Sequence, residues 1–176
     1  MVKSCSWLKA AALLCCLALI GACGYRFIPD GQAIDKSIQQ IFVDVFANKT
    51  SEANIENAFR TAFIDRISQG RRFKLAESPG EADAILRGSI ESLTSAALSL
   101  QATSLAAEDR ITVVLSLTLE AQNPKNVLWT NGSFSSAQDY ILGNNLSVAQ
   151  ANRKNALIKL SNDTAERAYR LMMSGF

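Results

Sequence analysis

The chain has 176 residues, with 18 Lys and Arg against 16 Asp and Glu, no histidine and four cysteines. That length supports one domain with a real core, and the charge balance lacks the basic excess that marks a nucleic-acid binder. Without histidine the commonest general base is missing, so an enzyme on this chain would have to work with carboxylates, Lys, Ser or Tyr.

Residues 1–22 read as a secretory signal peptide: Lys3 and Lys9 come first, residues 10–20 are uninterruptedly apolar, and the small residues Gly21 and Ala22 follow. As a helix the apolar run spans about 16 Å, roughly half the hydrocarbon thickness of a bilayer, too short for a permanent transmembrane anchor. Ile20-Gly21-Ala22-Cys23 resembles the lipobox of bacterial lipoproteins. The resemblance implies a diacylglycerol on the Cys23 sulfur, cleavage before it, and an N-acyl chain on the new amino terminus. The alternative is an ordinary small-residue cleavage site with a leftover cysteine. Several acyl chains, at about 0.8 kcal/mol per buried methylene, would hold the protein stably on a membrane. Gly24 stands where an Asp would resemble the inner-membrane retention signal of enteric lipoproteins, so the outer membrane is the expected destination.

Cleavage would remove two of the 18 basic residues and no acid, leaving 16 against 16. It would also remove Cys5, Cys15 and Cys16, leaving only the acylated Cys23. The mature domain is then expected to hold no disulfide, no thiol nucleophile and no metal site.

Tyr25, Phe27 and Ile28, followed by the turn-forming Pro29-Asp30-Gly31, suggest a lipidated tether over residues 23–38. Residues 41–46 are β-branched and aromatic and read as a strand, after which Thr50 or Ser51 can cap a helix. Ile55, Phe59, Ala62, Phe63 and Ile67 recur at three- and four-residue steps, and Gly70 ends that helix. Arg71, Arg72 and Lys74 then crowd a short segment ending at Leu75. It reads either as an anion-binding cluster or as an edge strand whose charge discourages pairing.

Ser78-Pro79-Gly80 signals a turn, and Ala84, Leu86, Gly88 and Ile90 then share one face of a strand, with Arg87 and Glu91 on the other. Residues 92–109 are rich in Ser, Thr and Ala, as suits a strand extension and a long hairpin tip. Alternation is clearest over residues 111–121, with Ile111, Val113, Leu115, Leu117 and Leu119 on one side. Past the turn at Asn123-Pro124, a strand runs from Val127 through Ser136, and residues 139–145 are expected to loop. From Leu146 to about Met173 neither Pro nor Gly interrupts, predicting one long helix whose stripe is Val148, Ala149, Leu157, Leu160, Thr164, Ala168 and Leu171. Core packing suits that stripe better than a membrane surface, since Arg153 and Lys154 are a thin cationic face.

The order predicts an α+β two-layer sandwich: a mostly antiparallel four- to five-stranded sheet with two helices packed on one face. The expected division is 1–22 signal peptide, 23–38 tether and 39–176 single α+β domain. No phosphate loop, HExxH helix or nucleophile elbow occurs, and Gly88-Ser89 and Gly132-Ser133 fall inside strands. Asp44 and Asp83 could pair as acid and base, though each also suits a strand or turn role.

Four segments together carry a resemblance: Cys23-Gly24-Tyr25-Arg26-Phe27, the strand running into Ala47-Asn48-Lys49-Thr50, Ala82-Asp83-Ala84-Ile85-Leu86-Arg87-Gly88-Ser89-Ile90, and Val127-Leu128-Trp129. In order and spacing they resemble the lipopolysaccharide-assembly lipoprotein family, LptE. This implies a protein that is not an enzyme and carries no cofactor beyond the lipid on Cys23. It would plug a large outer-membrane β-barrel, LptD, assist that barrel's folding, and help deliver lipopolysaccharide to the outer leaflet, bound to the membrane through its lipid anchor. Arg87, Arg110, Lys74, Arg71 and Arg72 are the candidates for meeting lipid A phosphates. The family places further basic residues in the hairpin loop and before the last helix, whereas residues 94–109 and 140–152 here contain no Lys or Arg. A generic envelope lipoprotein binding peptidoglycan or another periplasmic protein is the alternative function.

Overall fold

The structure, a computed structural model, describes residues 34–99 and 108–174. The signal peptide, Cys23, most of the tether and the hairpin tip lie outside the described residues. In chain order the elements are β1 (Gln40–Val43), β2 (Ala47–Asn48), α1 (Ile55–Gln69), β3 (Lys74–Leu75), a 3-10 turn (Pro79–Glu81), β4 (Ala84–Ser99), β5 (Glu108–Gln122), β6 (Lys125–Ile141) and α2 (Leu146–Ser174).

The strict alternation along β5 sets the centre of the sheet. Ile111, Val113, Leu115, Leu117 and Leu119 are wholly buried, while Thr112, Val114, Ser116, Thr118 and Glu120 are only half-buried. Each apolar side chain so buried contributes roughly 1.5–3 kcal/mol. β5 pairs antiparallel with β4 on one side and with β6 on the other along nearly its whole length. Buried residues of α1 and α2 join the same core as the buried β5 row. Both helices therefore cover one face, and the Ser- and Thr-rich face is left open.

The sheet itself is larger and more mixed than expected. It has six strands in the order β3-β1-β4-β5-β6, with β2 also on β4, and β1 runs parallel to both β3 and β4. The crossover through α1 returns the chain in the same direction, and that enforces a parallel neighbour. The predicted strand over 41–46 also breaks. It ends at Val43, leaves Val45 64% exposed and turns Phe46 into the core. The chain steps along the β4 edge instead: the Asp44 N–H donates to the Leu86 carbonyl and the Lys49 N–H to the Ile90 carbonyl.

Thr50 and Ser51 do not cap α1. The Asn48 side-chain oxygen accepts from the Thr50 N–H and Oγ1 at 2.9 and 2.8 Å, and the helix starts only after Asn54, in the left-handed region at φ 63. The spacing within α1 holds, with Ile55, Phe59, Ala62, Phe63 and Ile67 all buried. β6 runs through Ile141, past the start of the expected loop, because Asp139 and Tyr140 remain paired with Arg110 and Asp109 of β5. In α2 the centre of the predicted stripe holds, with Leu160, Thr164 and Ala168 buried, but the buried face is turned away from its other members. Ala156, Leu160, Ser161, Thr164, Ala165, Ala168, Tyr169 and Met172 are buried, Leu157 and Leu171 only half so, and Val148 is exposed. Small side chains at 161, 164, 165 and 168 let the helix backbone approach the sheet and α1.

α1 and α2 lie side by side in parallel. Near their starts, Arg153 donates to both carboxylate oxygens of Glu52 at 2.8 and 2.7 Å; near their ends, Arg66 meets Glu166 at 2.5 Å. Both C-terminal ends therefore finish at the same edge of the molecule.

Candidate functional site

The described candidates fall in three places. Arg87 projects from β4 onto the open sheet face, where it donates to Glu120 and lies 3.5 Å from Asp44. Arg110 stands on the same face toward the hairpin tip, giving two hydrogen bonds of 2.6 and 2.8 Å to Asp139. That fork holds the Asp139 carboxyl below the usual carboxylate range and the Arg110 guanidinium more firmly protonated. Arg87 pairs with Thr118 and Arg110 lies eight residues away along β5 (118 minus 110), about 27 Å at strand rise. Arg71, Arg72 and Lys74 sit beyond the end of α1, with Arg71 and Lys74 exposed and, among the described residues, in no ion pair.

Arg72 is built in. Its guanidinium donates to the Ile38 and Asp35 carbonyls at 2.8 and 2.9 Å and stacks 4.7 Å above the Phe73 ring. It also lines a cleft of about 1070 Å³ at the edge where the two helices end, together with Lys36, Arg66, Arg167, Tyr169, Arg170, Leu171, Met173 and Ser174. Of the five sequence candidates, only Arg72 is brought there. Arg66 lies 4.5 Å above the Tyr169 ring, and Phe73 meets that ring edge-on at 6.4 Å. Arg167 lies 5.3 Å over Phe134 and donates to the Ser136 hydroxyl at 3.2 Å. Burial raises the Tyr169 phenol, against the opposing pull of Arg66 and Arg72.

Lys36, Arg66, Arg167 and Arg170 escape sequence reasoning because each reads as an ordinary polar position of its own segment. The available signal is the pair Arg167 and Arg170, three residues apart on α2, and its meaning depends on knowing that α1 ends beside it.

Asp44 and Asp83 do not form an acid–base pair. Asp83 Oδ2 accepts from the Gln39 and Gln40 N–H groups at 2.7 and 2.8 Å, which pins the start of β1, while Asp44 faces Arg87 and accepts from the Val45 N–H. Among the described residues, no group of three or more Asp, Glu, His or Cys could hold a metal.

The model of the LptE family, described as lipopolysaccharide-assembly, matches residues 38–172. The chain belongs to that family. No curated protein matches it in sequence. Among solved structures, it is similar to the hypothetical protein CT253 from Chlamydia trachomatis, at 9% identity and TM-score 0.51 over 77% of this chain and 98% of the other. Uncharacterized lipoprotein B from Nitrosomonas europaea is similar at 14% identity and TM-score 0.51, over 78% of this chain and 83% of the other. At those identities the likeness speaks for the fold alone.

Proposed function

We propose that this chain is an outer-membrane lipoprotein, acylated at Cys23, that pairs with a large LptD-like β-barrel as plug and assembly partner and assists lipopolysaccharide transport to the outer leaflet. The match of the family model over residues 38–172 carries the proposal. In this reading the acyl chains on Cys23 anchor the protein to the membrane; no described helix is long and apolar enough to cross one. The open sheet face suits a wet barrel lumen. Its Thr112, Ser116 and Thr118 rows are polar without a net charge of one sign, and its cations are offset by Glu120, Asp44 and Asp139.

Arg71 and Lys74, in no ion pair among the described residues, are the readiest of the sequence candidates to meet a lipid A phosphate. Arg87 and Arg110 would first have to surrender carboxylate partners, and Arg72 is partly spent on the Asp35 and Ile38 carbonyls. No catalytic step is assigned: Asp44 and Asp83, the carboxylates with the best case for acid–base work, are engaged in holding β1 and its exit.

Affinity purification of the tagged full chain from detergent-solubilised outer membrane should recover a large β-barrel in about equal amount. Recovery of the lipoprotein alone would overturn the proposal.

A further inference from the structure

The cleft where α1 and α2 end holds more positive charge than its surroundings balance. Five cations line it: Lys36, Arg66, Arg72, Arg167 and Arg170. Among the described residues two carboxylates stand beside them, Glu166 against Arg66 and Arg170, and Asp35 close enough to Arg72 to feel its charge, leaving a surplus of three within that set (five minus two). The two helix C-termini add roughly half a negative charge each, which favours cations there without neutralising them.

Arg66 is held in place by its Nε, which is buried 2.5 Å from the Glu166 carboxylate. Arg167 is pre-positioned by hydroxyl and ring contacts, so its planar fork would lose little freedom on gripping an anion, while Arg72, whose two terminal nitrogens already donate to carbonyls, adds fixed positive charge. At about 1070 Å³ the cleft exceeds what a lone inorganic anion would fill, since pockets for whole organic ligands run to about 300–1,000 Å³. Tyr169, Leu171 and Met173 give it an apolar wall beside the cations.

We propose that this cleft binds the phosphate of an amphiphile's headgroup, with the guanidinium groups on the phosphate and the wall at Leu171 and Met173 against the apolar body. Phosphate binding here needs no barrel partner. If Cys23 is acylated, as proposed above, Lys36 follows it by 13 residues (36 minus 23), a span of at most about 45 Å, so the cleft stays within reach of the membrane surface.

The test is calorimetric titration of the full chain in neutral detergent micelles, against an empty-micelle blank. The probes are dihexanoyl phosphatidic acid, dihexanoyl phosphatidylcholine and inorganic phosphate. Phosphatidic acid should bind saturably at one site, at least about tenfold more tightly than phosphatidylcholine. The double variant Lys36→Gln/Arg170→Gln alters two exposed side chains and should weaken it by about tenfold without moving Tm. Unchanged affinity in that variant overturns the proposal. So does an equal loss in Lys125→Gln/Lys154→Gln, which removes the same charge elsewhere, and so does inorganic phosphate binding as tightly as phosphatidic acid. Barrel recovery, scored separately on the same variants, tells failure of the cleft from failure of the barrel partnership.

Discussion

Gly88 is the one position on β4 where the side-chain row must be empty. Phe46 lies across it, only 2% exposed and packed on Phe63 with ring centroids 5.3 Å apart, and a Cβ on Gly88 would enter the Phe46 ring. Because the ring is enclosed, it cannot swing away, and Gly88→Ala should cost about 1–3 kcal/mol as an overpacked core. Urea denaturation would register this as a lower midpoint with unchanged slope; an unmoved midpoint would show that the ring has room to yield. In the sequence Gly88 is recognisable as structural from its place inside an alternating strand. Its partner is not, because Phe46 reaches it only after the chain breaks strand pairing at Asp44. Asp83 is similar: its carboxylate was open to two readings, and only the parallel placement of β1 beside β4 brings the Gln39 and Gln40 N–H groups to it.

Between elements, the parallel helices are tied at their starts by the Arg153–Glu52 fork. Hydrogen bonds from Arg153 hold the Glu52 carboxyl below its ordinary value of 4.5, against a smaller opposing effect of burial. A carboxylate depressed in the folded state contributes stability that is present above its unfolded value and disappears as pH falls through the folded one. Glu52→Gln should therefore lower stability by about 1 kcal/mol at neutral pH, with the gap to the unaltered chain closing as pH drops below about 4.5. Denaturation curves at neutral and acid pH would check this, and a gap independent of pH would remove the ion pair as its cause. Helix existence is legible from three- and four-residue spacing in both α1 and α2. The face α2 presents is only partly so: Leu160, Thr164 and Ala168 of the expected stripe are buried, but hydropathy also favours Leu157 and Leu171, where close packing selects Ala156, Ser161, Ala165 and Tyr169 instead. The start of α1 was equally hidden, since Thr50 hydrogen-bonds Asn48 and so does not serve as a cap.

At the scale of the whole molecule, stability is graded across the sheet. β4, β5 and β6 are 15 to 17 residues long and carry the alternation that made their pairing readable. β1, β2 and β3 have only two to four residues each, too few to show a period, which is why the parallel half of the sheet was not foreseen. The same difference in length fixes how the protein should open. Amides at the middle of β5 are enclosed between two long partners above a core whose side chains are wholly buried, so exposing them requires global unfolding. β3 lies at the edge, pairs with β1 at just two positions, and has both residues exposed, so it can part from the sheet while the long hairpin stays intact. Native-state hydrogen exchange should rank Leu115, Leu117 and Leu119 slowest and the Lys74 and Ala76 amides, which donate to β1, faster by orders of magnitude, with denaturant accelerating the β5 amides far more steeply. If β3 instead exchanged at the β5 rate with the same denaturant dependence, the parallel edge would have to unfold in one step with the long antiparallel strands.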